Sequence, residues 1–335
     1  MVINDEFYLK LAINEAWKYQ GLTYPNPAVG CAIVSKNGEL LSVEAHQKAG
    51  FAHAELNAVK SALAKLNSTL NFPNDANELY AFILKNHNNL LENSTFYVTL
   101  EPCSHQGKTP SCARLLASLH VGKVVIGCLD ENSCASGGVE ILKSANIEVK
   151  TGVLKDECKN LLEPFLLWQK GQFSFLKIAQ RLDGSYDNGE ITSQNTRTFM
   201  HDLRDKCDLI AIGGETVRAD KPTLDARLVN GKAPDILIFT CKDNFDIKIP
   251  LFSVKNRKVL TSNNLNFPNE YKNIMVEGGA NLLNSIKDKV DWFLIFHNSS
   301  FSSKGSKFLQ TELNLELLYL GRIENEYFGW YKKVT

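Results

Sequence analysis

Residues 53–55 read His-Ala-Glu, and residues 101–112 read Glu-Pro-Cys-Ser-His-Gln-Gly-Lys-Thr-Pro-Ser-Cys. One imidazole, His53, and two thiolates, Cys103 and Cys112, make a good zinc donor set. Three protein ligands leave the fourth position to water, which is the catalytic rather than the structural arrangement. Zinc lowers the pKa of that water, so hydroxide is available near neutral pH to attack an amino-bearing ring carbon. Glu55 then takes the water proton and returns it to the ring nitrogen and the leaving ammonia. The chemistry this predicts is hydrolytic deamination of a small cyclic amidine or aminopyrimidine. Each fragment alone is weak, because His-x-Glu is common and so is a pair of cysteines. Together, with Pro102 before the first cysteine, they are specific. Spacing does not show that the three ligands converge. His105 inside the loop is a rival ligand, and a purely structural zinc would leave Glu55 without a role.

These residues need a scaffold. The chain has 335 residues, too many for one ordinary core, which predicts two domains. Phe7, Leu9, Ile13, Ala16 and Trp17 predict a first helix. Residues 28–35 and 39–45 read as a strand and its hairpin partner across Lys36-Asn37-Gly38. A helix over 54–66 places His53 at its start, and a strand over 95–100 leads into Glu101. A helix over 111–119, a strand over 123–129 and a helix over 139–145 follow. Helices recurring between strands predict an α/β layered domain. Residues 67–93 are rich in asparagine and read as a surface insertion with one short helix. After a connector over 151–173, strands over 173–179, 209–213, 235–240, 273–276 and 292–297 and helices over 196–205 and 280–287 predict a second α/β unit. The boundary is placed near 150.

With 37 basic and 37 acidic residues, the chain lacks the basic surplus of a nucleic-acid protein. No apolar run of about 18 residues predicts a membrane span. The acidic start, Asn4-Asp5-Glu6, does not resemble a signal peptide, and a cytoplasmic protein is expected. The eight cysteines are then reduced thiols, with Cys31, Cys128 and Cys207 as small core residues. Oligomeric state is left open, a homodimer included.

The cysteine spacing narrows the reading. Two residues usually separate the cysteines of zinc deaminases; here eight do. Pro25-Asn26-Pro27-Ala28-Val29-Gly30, His46-Gln47-Lys48-Ala49-Gly50, His53-Ala54-Glu55 and the stretch from Thr99 to Cys112 closely resemble the deaminase half of the bifunctional riboflavin-biosynthesis deaminase–reductase family. The resemblance implies a cytidine-deaminase-like α/β/α domain. Its substrate would be a diaminopyrimidinone carrying a phosphoribosylamino group. It also implies substrate contacts from Asn26, His46, Ser104, His105, Lys108 and Thr109. The lysine and hydroxyls of that loop suit a phosphate.

In the second half no G-x-G-x-x-G follows a strand, so no Rossmann unit is expected. Lys177-Ile178-Ala179-Gln180-Arg181-Leu182-Asp183-Gly184, residues 213–227 and Val276-Glu277-Gly278-Gly279-Ala280-Asn281-Leu282-Leu283 resemble the reductase half of the same family. That implies a dihydrofolate-reductase-like α/β domain using NADPH to reduce the ribosyl group to ribityl. By motif, Gln180, Thr216, Asp220, Gly279, Ala280, Asn281, Leu282, Leu283, Asn284 and Ser285 would contact the cofactor. Arg204, Leu224, Arg227 and Glu277 would contact the substrate, the arginines suiting its phosphate. The chain departs from the pattern at Arg181 and Ser185, where the family has serine and a basic residue. The segment before Ile191 is also shorter and lacks a tryptophan. The competing readings are a deaminase with a degenerate reductase scaffold and an RNA-editing deaminase; neutral charge and the long cysteine loop oppose the latter.

Overall fold

The computed structural model describes residues 3–105, 107, 110–131, 136–187, 189–242, 244–302 and 307–334. The chain divides into two compact units, Met1–Phe165 and Leu166–Thr335.

The first unit runs α1 (Asp5–Trp17), β1 (Gly30–Val34), β2 (Leu40–Ala45), α2 (Ala54–Leu66), α3 (Ala76–Asn86), β3 (Thr95–Leu100), α4 (Cys112–Ser118), β4 (Lys123–Cys128), α5 (Gly138–Ser144) and β5 (Glu148–Thr151). Its five strands lie in the order β2-β1-β3-β4-β5. β1 pairs antiparallel with β2 and β3, and β3, β4 and β5 run parallel. The central strands β1, β3 and β4 are buried on both faces, as a sheet covered on both sides requires. Cys31, Ile33, Phe96, Val98, Val124 and Ile126 face the helices α2, α3, α4 and α5. Ala32, Tyr97 and Val125 alternate with them and are buried as well. α1 lies close against β1: a Cβ on Gly30 would sit 1.9 Å from the Ala12 carbonyl oxygen. Cys31, Cys128 and Cys207 are buried, as expected of core thiols.

The asparagine-rich stretch is not a bare surface insertion. Its α3 spans eleven residues, is capped by Asp75, and buries Leu79 and Ile83. Leu79, Ile83 and Leu91 belong to the same core as the metal-side helices. Three apolar side chains at helical and near-helical spacing were masked by the polar composition around them.

The connector is also helical: α6 covers Lys155–Lys170. The second unit continues with β6 (Phe173–Arg181), α7 (Gln194–Lys206), β7 (Leu209–Gly213), α8 (Gly214–Asp220), β8 (Asp235–Phe239), β9 (Val259–Ser262), β10 (Asn273–Glu277), α9 (Ala280–Ile286), β11 (Trp292–Asn298), β12 (Leu315–Ile323) and β13 (Glu326–Lys333). Its eight strands are ordered β12-β13-β11-β6-β10-β7-β8-β9. The six strands from β11 to β9 are parallel. The β12–β13 hairpin adds antiparallel at the β11 side. The parallel strands therefore end together, and such a shared carboxyl edge is where α/β sheets bind ligands.

Candidate active site

In the first unit, three elements deliver the metal donors. His53 is the N-cap of α2, so its ring stands at the helix entrance. Cys103 follows the end of β3, and Cys112 opens α4. The two cysteines are tied together locally. The Ser111 hydroxyl donates to the Cys103 carbonyl at 2.8 Å and caps α4 by accepting from the Arg114 amide. The Ala113 amide also donates to that carbonyl, at 3.2 Å. One ligand atom from each of His53, Cys103 and Cys112 lies within 4.8 Å of the others. His53 Nδ1 is 3.8 Å from Cys103 Sγ and 3.5 Å from Cys112 Sγ. Among the described residues this is the one such group of histidine, cysteine and carboxylate donors, and exposed His105 is outside it.

The donor chemistry fits zinc. A hydrogen bond from the Cys112 thiol, aided by His53, pushes the Cys103 thiol down to about 4, while Cys112 itself is pushed up. The pair thus favours the thiolate form at Cys103, and a bound cation would deprotonate Cys112 as well. Burial pulls the His53 ring down, but the Cys103 thiolate and Glu55 together carry it above its ordinary value. Glu55 stands in the first turn of α2, 4% exposed. Burial, then the Cys103 thiolate, raise its carboxyl. A carboxyl shifted toward neutrality is suited to moving protons in both directions.

Of the residues expected near the substrate, His46 and Asn26 meet at 3.1 Å between Nε2 and the side-chain amide. The His46 ring also packs edge-on against the His53 ring, with centroids 5.4 Å apart. Burial pushes the His46 ring down to about 4, so it is neutral. Ser104 donates its hydroxyl to the Ser136 carbonyl at 2.6 Å. Lys108 and Thr109 lie outside the described residues.

Glu101 has a place that sequence reasoning did not give it. Its buried carboxylate accepts from the backbone amides of Asp130, Gly137 and Val139 at 3.0–3.2 Å. The segment after β4 is thereby held against the Pro102-Cys103 corner. A Cβ on Gly138 would sit 1.9 Å from the Pro102 carbonyl oxygen. The partners are main-chain groups, which carry no signal in sequence; only the charge directly before Pro-Cys could have raised the question.

In the second unit, the carboxyl edge of the parallel strands collects the expected residues. Glu277, at the end of β10, is buried between Lys177 of β6 and Arg204 of α7. Burial opposes its ionisation, but the two cations hold its carboxyl down to about 2. Arg204 is therefore engaged with Glu277, and its side chain is 14% exposed. Arg227, with a side chain 60% exposed, pairs with Asp225 at 2.6 Å. Leu224 is buried in a left-handed conformation at φ 54°. Arg257 supports that strained turn by donating to the carbonyls of Thr223 and Leu224 at 2.7 and 2.8 Å. Neither Lys177 nor Arg257 was singled out from sequence.

Thr216 and Asp220 lie four residues apart on α8, hence on one side of it. α8 follows Gly213 and α9 follows Gly279, each helix starting just past the end of its parallel strand. Asn281 donates to Glu215 at 3.3 Å, linking the two helix starts. Gly279 abuts the Tyr186 ring, which a Cβ would approach to 3.1 Å. Ala280 is half-buried, whereas Asn281, Asn284 and Ser285 are exposed. Leu282 and Leu283 are core residues, so their side chains face inward. Gln180 meets His297 at 3.4 Å across β6 and β11.

A converging His-Cys-Cys set with an adjacent buried glutamate, on a layered domain joined to a parallel-sheet domain, defines a zinc-binding deaminase fused to a second catalytic unit. Residues 2–128 match the family model of the cytidine and deoxycytidylate deaminase zinc-binding region, and residues 173–302 match that of the RibD C-terminal domain. The chain is 32% identical over 321 residues to the riboflavin biosynthesis protein RibD of Aquifex aeolicus, covering 84% of this chain and 82% of that protein. It is 34% identical over 233 residues to RibD of Escherichia coli, covering 67% of this chain and 56% of that one. A solved structure from Thermotoga maritima, a diaminohydroxyphosphoribosylaminopyrimidine deaminase/5-amino-6-(5-phosphoribosylamino)uracil reductase, superimposes with a TM-score of 0.62 at 27% identity. That alignment covers 98% of this chain and 99% of the other. The chain belongs to the RibD family of bifunctional riboflavin-biosynthesis deaminase–reductases. It is an enzyme acting on a small molecule, with a zinc-binding deaminase domain and a reductase domain. No described helix is long and apolar enough to cross a membrane.

Proposed function

We propose that residues 1–150 deaminate 2,5-diamino-6-(5-phosphoribosylamino)pyrimidin-4-one and that residues 151–335 then reduce its ribosyl group to ribityl with NADPH, in the cytoplasm. The observation that carries the first step is the convergence of His53, Cys103 and Cys112 within 4.8 Å beside buried Glu55. These three side chains would hold the zinc, which when bound supplies hydroxide near neutral pH. Glu55 passes one proton of the water to the ring nitrogen and then carries the second, from the added hydroxyl, to the amino group, which leaves as ammonia as the carbonyl forms. Asn26 contacts the pyrimidine, and the loop containing Ser104, His105, Lys108 and Thr109 binds the phosphoribosyl end.

For the second step, the glycine-started helices α8 and α9, side by side past parallel strands, fit a dinucleotide. Thr216, Asp220 and the segment 279–285 are the residues to hold it, with main-chain groups serving at Leu282 and Leu283. NADPH supplies hydride; the protein's part is alignment of the opened sugar. Exposed Arg227 suits the phosphate. The Lys177–Glu277–Arg204 cluster sets a fixed, net positive edge beside it.

Incubation with the diaminopyrimidinone phosphate, with and without NADPH, tests the proposal. The aminouracil should accumulate without NADPH and the ribityl product should form with it. An aminouracil that persists with NADPH present would reduce the second unit to a scaffold.

A further inference from the structure

His46 was expected to touch the substrate, yet both its ring nitrogens are taken by the protein. Nδ1 lies 3.0 Å from the Ala52 carbonyl oxygen, and Nε2 lies 3.1 Å from the Asn26 amide nitrogen. The ring is 3% exposed. A carbonyl oxygen can only accept, so Nδ1 carries the proton. Nε2 faces the NH2 of Asn26, a group that only donates, so Nε2 accepts there and the Asn26 carboxamide turns its NH2 toward His46. The carboxamide has two ends of opposite character, and fixing one fixes the other. Its Oδ1 accepts from no described protein group. Ala52 is anchored in turn: Asn57 of α2 donates its amide to the Ala45 carbonyl at 2.9 Å and to the Ala52 carbonyl at 3.4 Å. The relay thus runs from the helix that carries Glu55 through Ala52 and His46 to Asn26.

Building on the proposed contact between Asn26 and the pyrimidine, we infer that His46 is a positioning residue that locks the Asn26 carboxamide so that Oδ1 accepts an N–H of the ring being deaminated. The site then selects a ring with a hydrogen-bond donor at that edge, such as an amidine N–H. It disfavours one offering a lone pair there, which would face an oxygen.

A double-mutant cycle on the zinc-loaded full chain tests this, because a residue acting only through another gives non-additive losses. Asn26→Ala should lower kcat/KM for deamination by roughly tenfold or more, the scale of one lost hydrogen bond. His46→Asn keeps an amide near the Nδ1 position but has no acceptor at Nε2, so it should cause a similar loss with zinc content unchanged. His46→Gln, whose oxygen reaches the Nε2 position, should recover most activity. In the Asn26→Ala background, His46→Asn should cost little more. Additive losses would overturn the inference and make His46 an independent contact. A fully active Asn26→Ala variant would instead remove the underlying Asn26 contact, and the inference with it. Should His46→Asn fail to fold, nitrogen-15 NMR of the zinc-loaded wild-type protein decides: His46 must be protonated at Nδ1 and bare at Nε2, and the opposite tautomer would refute the lock.

Discussion

Arg204 and Glu277 meet through two hydrogen bonds, Nε to Oε1 at 2.9 Å and Nη2 to Oε2 at 3.1 Å. This is the paired geometry in which a guanidinium recognises a carboxylate. Lys177 approaches the same carboxylate at 3.3 Å. The depressed carboxyl of Glu277 makes its ionisation a source of stability. That contribution is complete above the ordinary carboxylate range and is lost as pH falls from about 4.5 toward about 2. Glu277→Gln should therefore flatten the acid limb of the stability profile, read by denaturant titration at several pH values. It should also destabilise the protein at neutral pH by about 2–3 kcal/mol, since two half-buried cations lose their partner. An unchanged acid limb would show that Glu277 does not carry this linkage.

Cys103→Ser should abolish deamination and sharply lower zinc content, because the thiolate held by the Cys112 hydrogen bond is removed. Metal analysis checks this directly; full zinc occupancy would sink the ligand assignment.

Glu55→Gln keeps the shape of the side chain and removes its proton traffic. Zinc should remain while the deamination rate falls by about a hundredfold or more, the usual size of a general acid–base contribution. NADPH-dependent reduction of directly supplied aminouracil phosphate should persist, because Glu55 belongs to the first unit alone. Near-normal deamination would show that another group moves the protons.

Glu101→Ala should leave three backbone amides without their acceptor. A stability loss of about 2–4 kcal/mol is expected in denaturant titration, given the cost of buried unsatisfied donors. The zinc affinity of the folded variant should fall too, since the Pro102-Cys103 corner loses its brace. Unchanged stability and affinity would show that the loop holds itself.

The first unit was the more legible half. The strand Thr95–Leu100 coincides with the expected one because its apolar run is short and bounded by polar residues. The zinc donors are carried by compact motifs, so local spacing sufficed. Partnerships across the chain were hidden: Arg204 and Glu277 are 73 residues apart, and two charged residues in sequence do not announce that they neutralise each other. The final hairpin was missed for a different reason. β12 is a sheet edge with Glu316, Leu317 and Leu320 exposed, so its apolar residues follow no strict alternation. The short helix expected within 67–93 is α3; what the asparagines obscured is that its Ala76, Leu79 and Ile83 are buried.

Gly138 touches no metal, substrate or cofactor, yet any side chain there would collide with the Pro102 carbonyl, one residue before Cys103. Its backbone needs no unusual conformation; space alone restricts the position. In a genetic screen for riboflavin auxotrophs, alleles at codon 138 should therefore fall in the same class as lesions in the zinc cysteines. They would look like catalytic mutations while lying 26 positions from the nearer of them, 138 against 112.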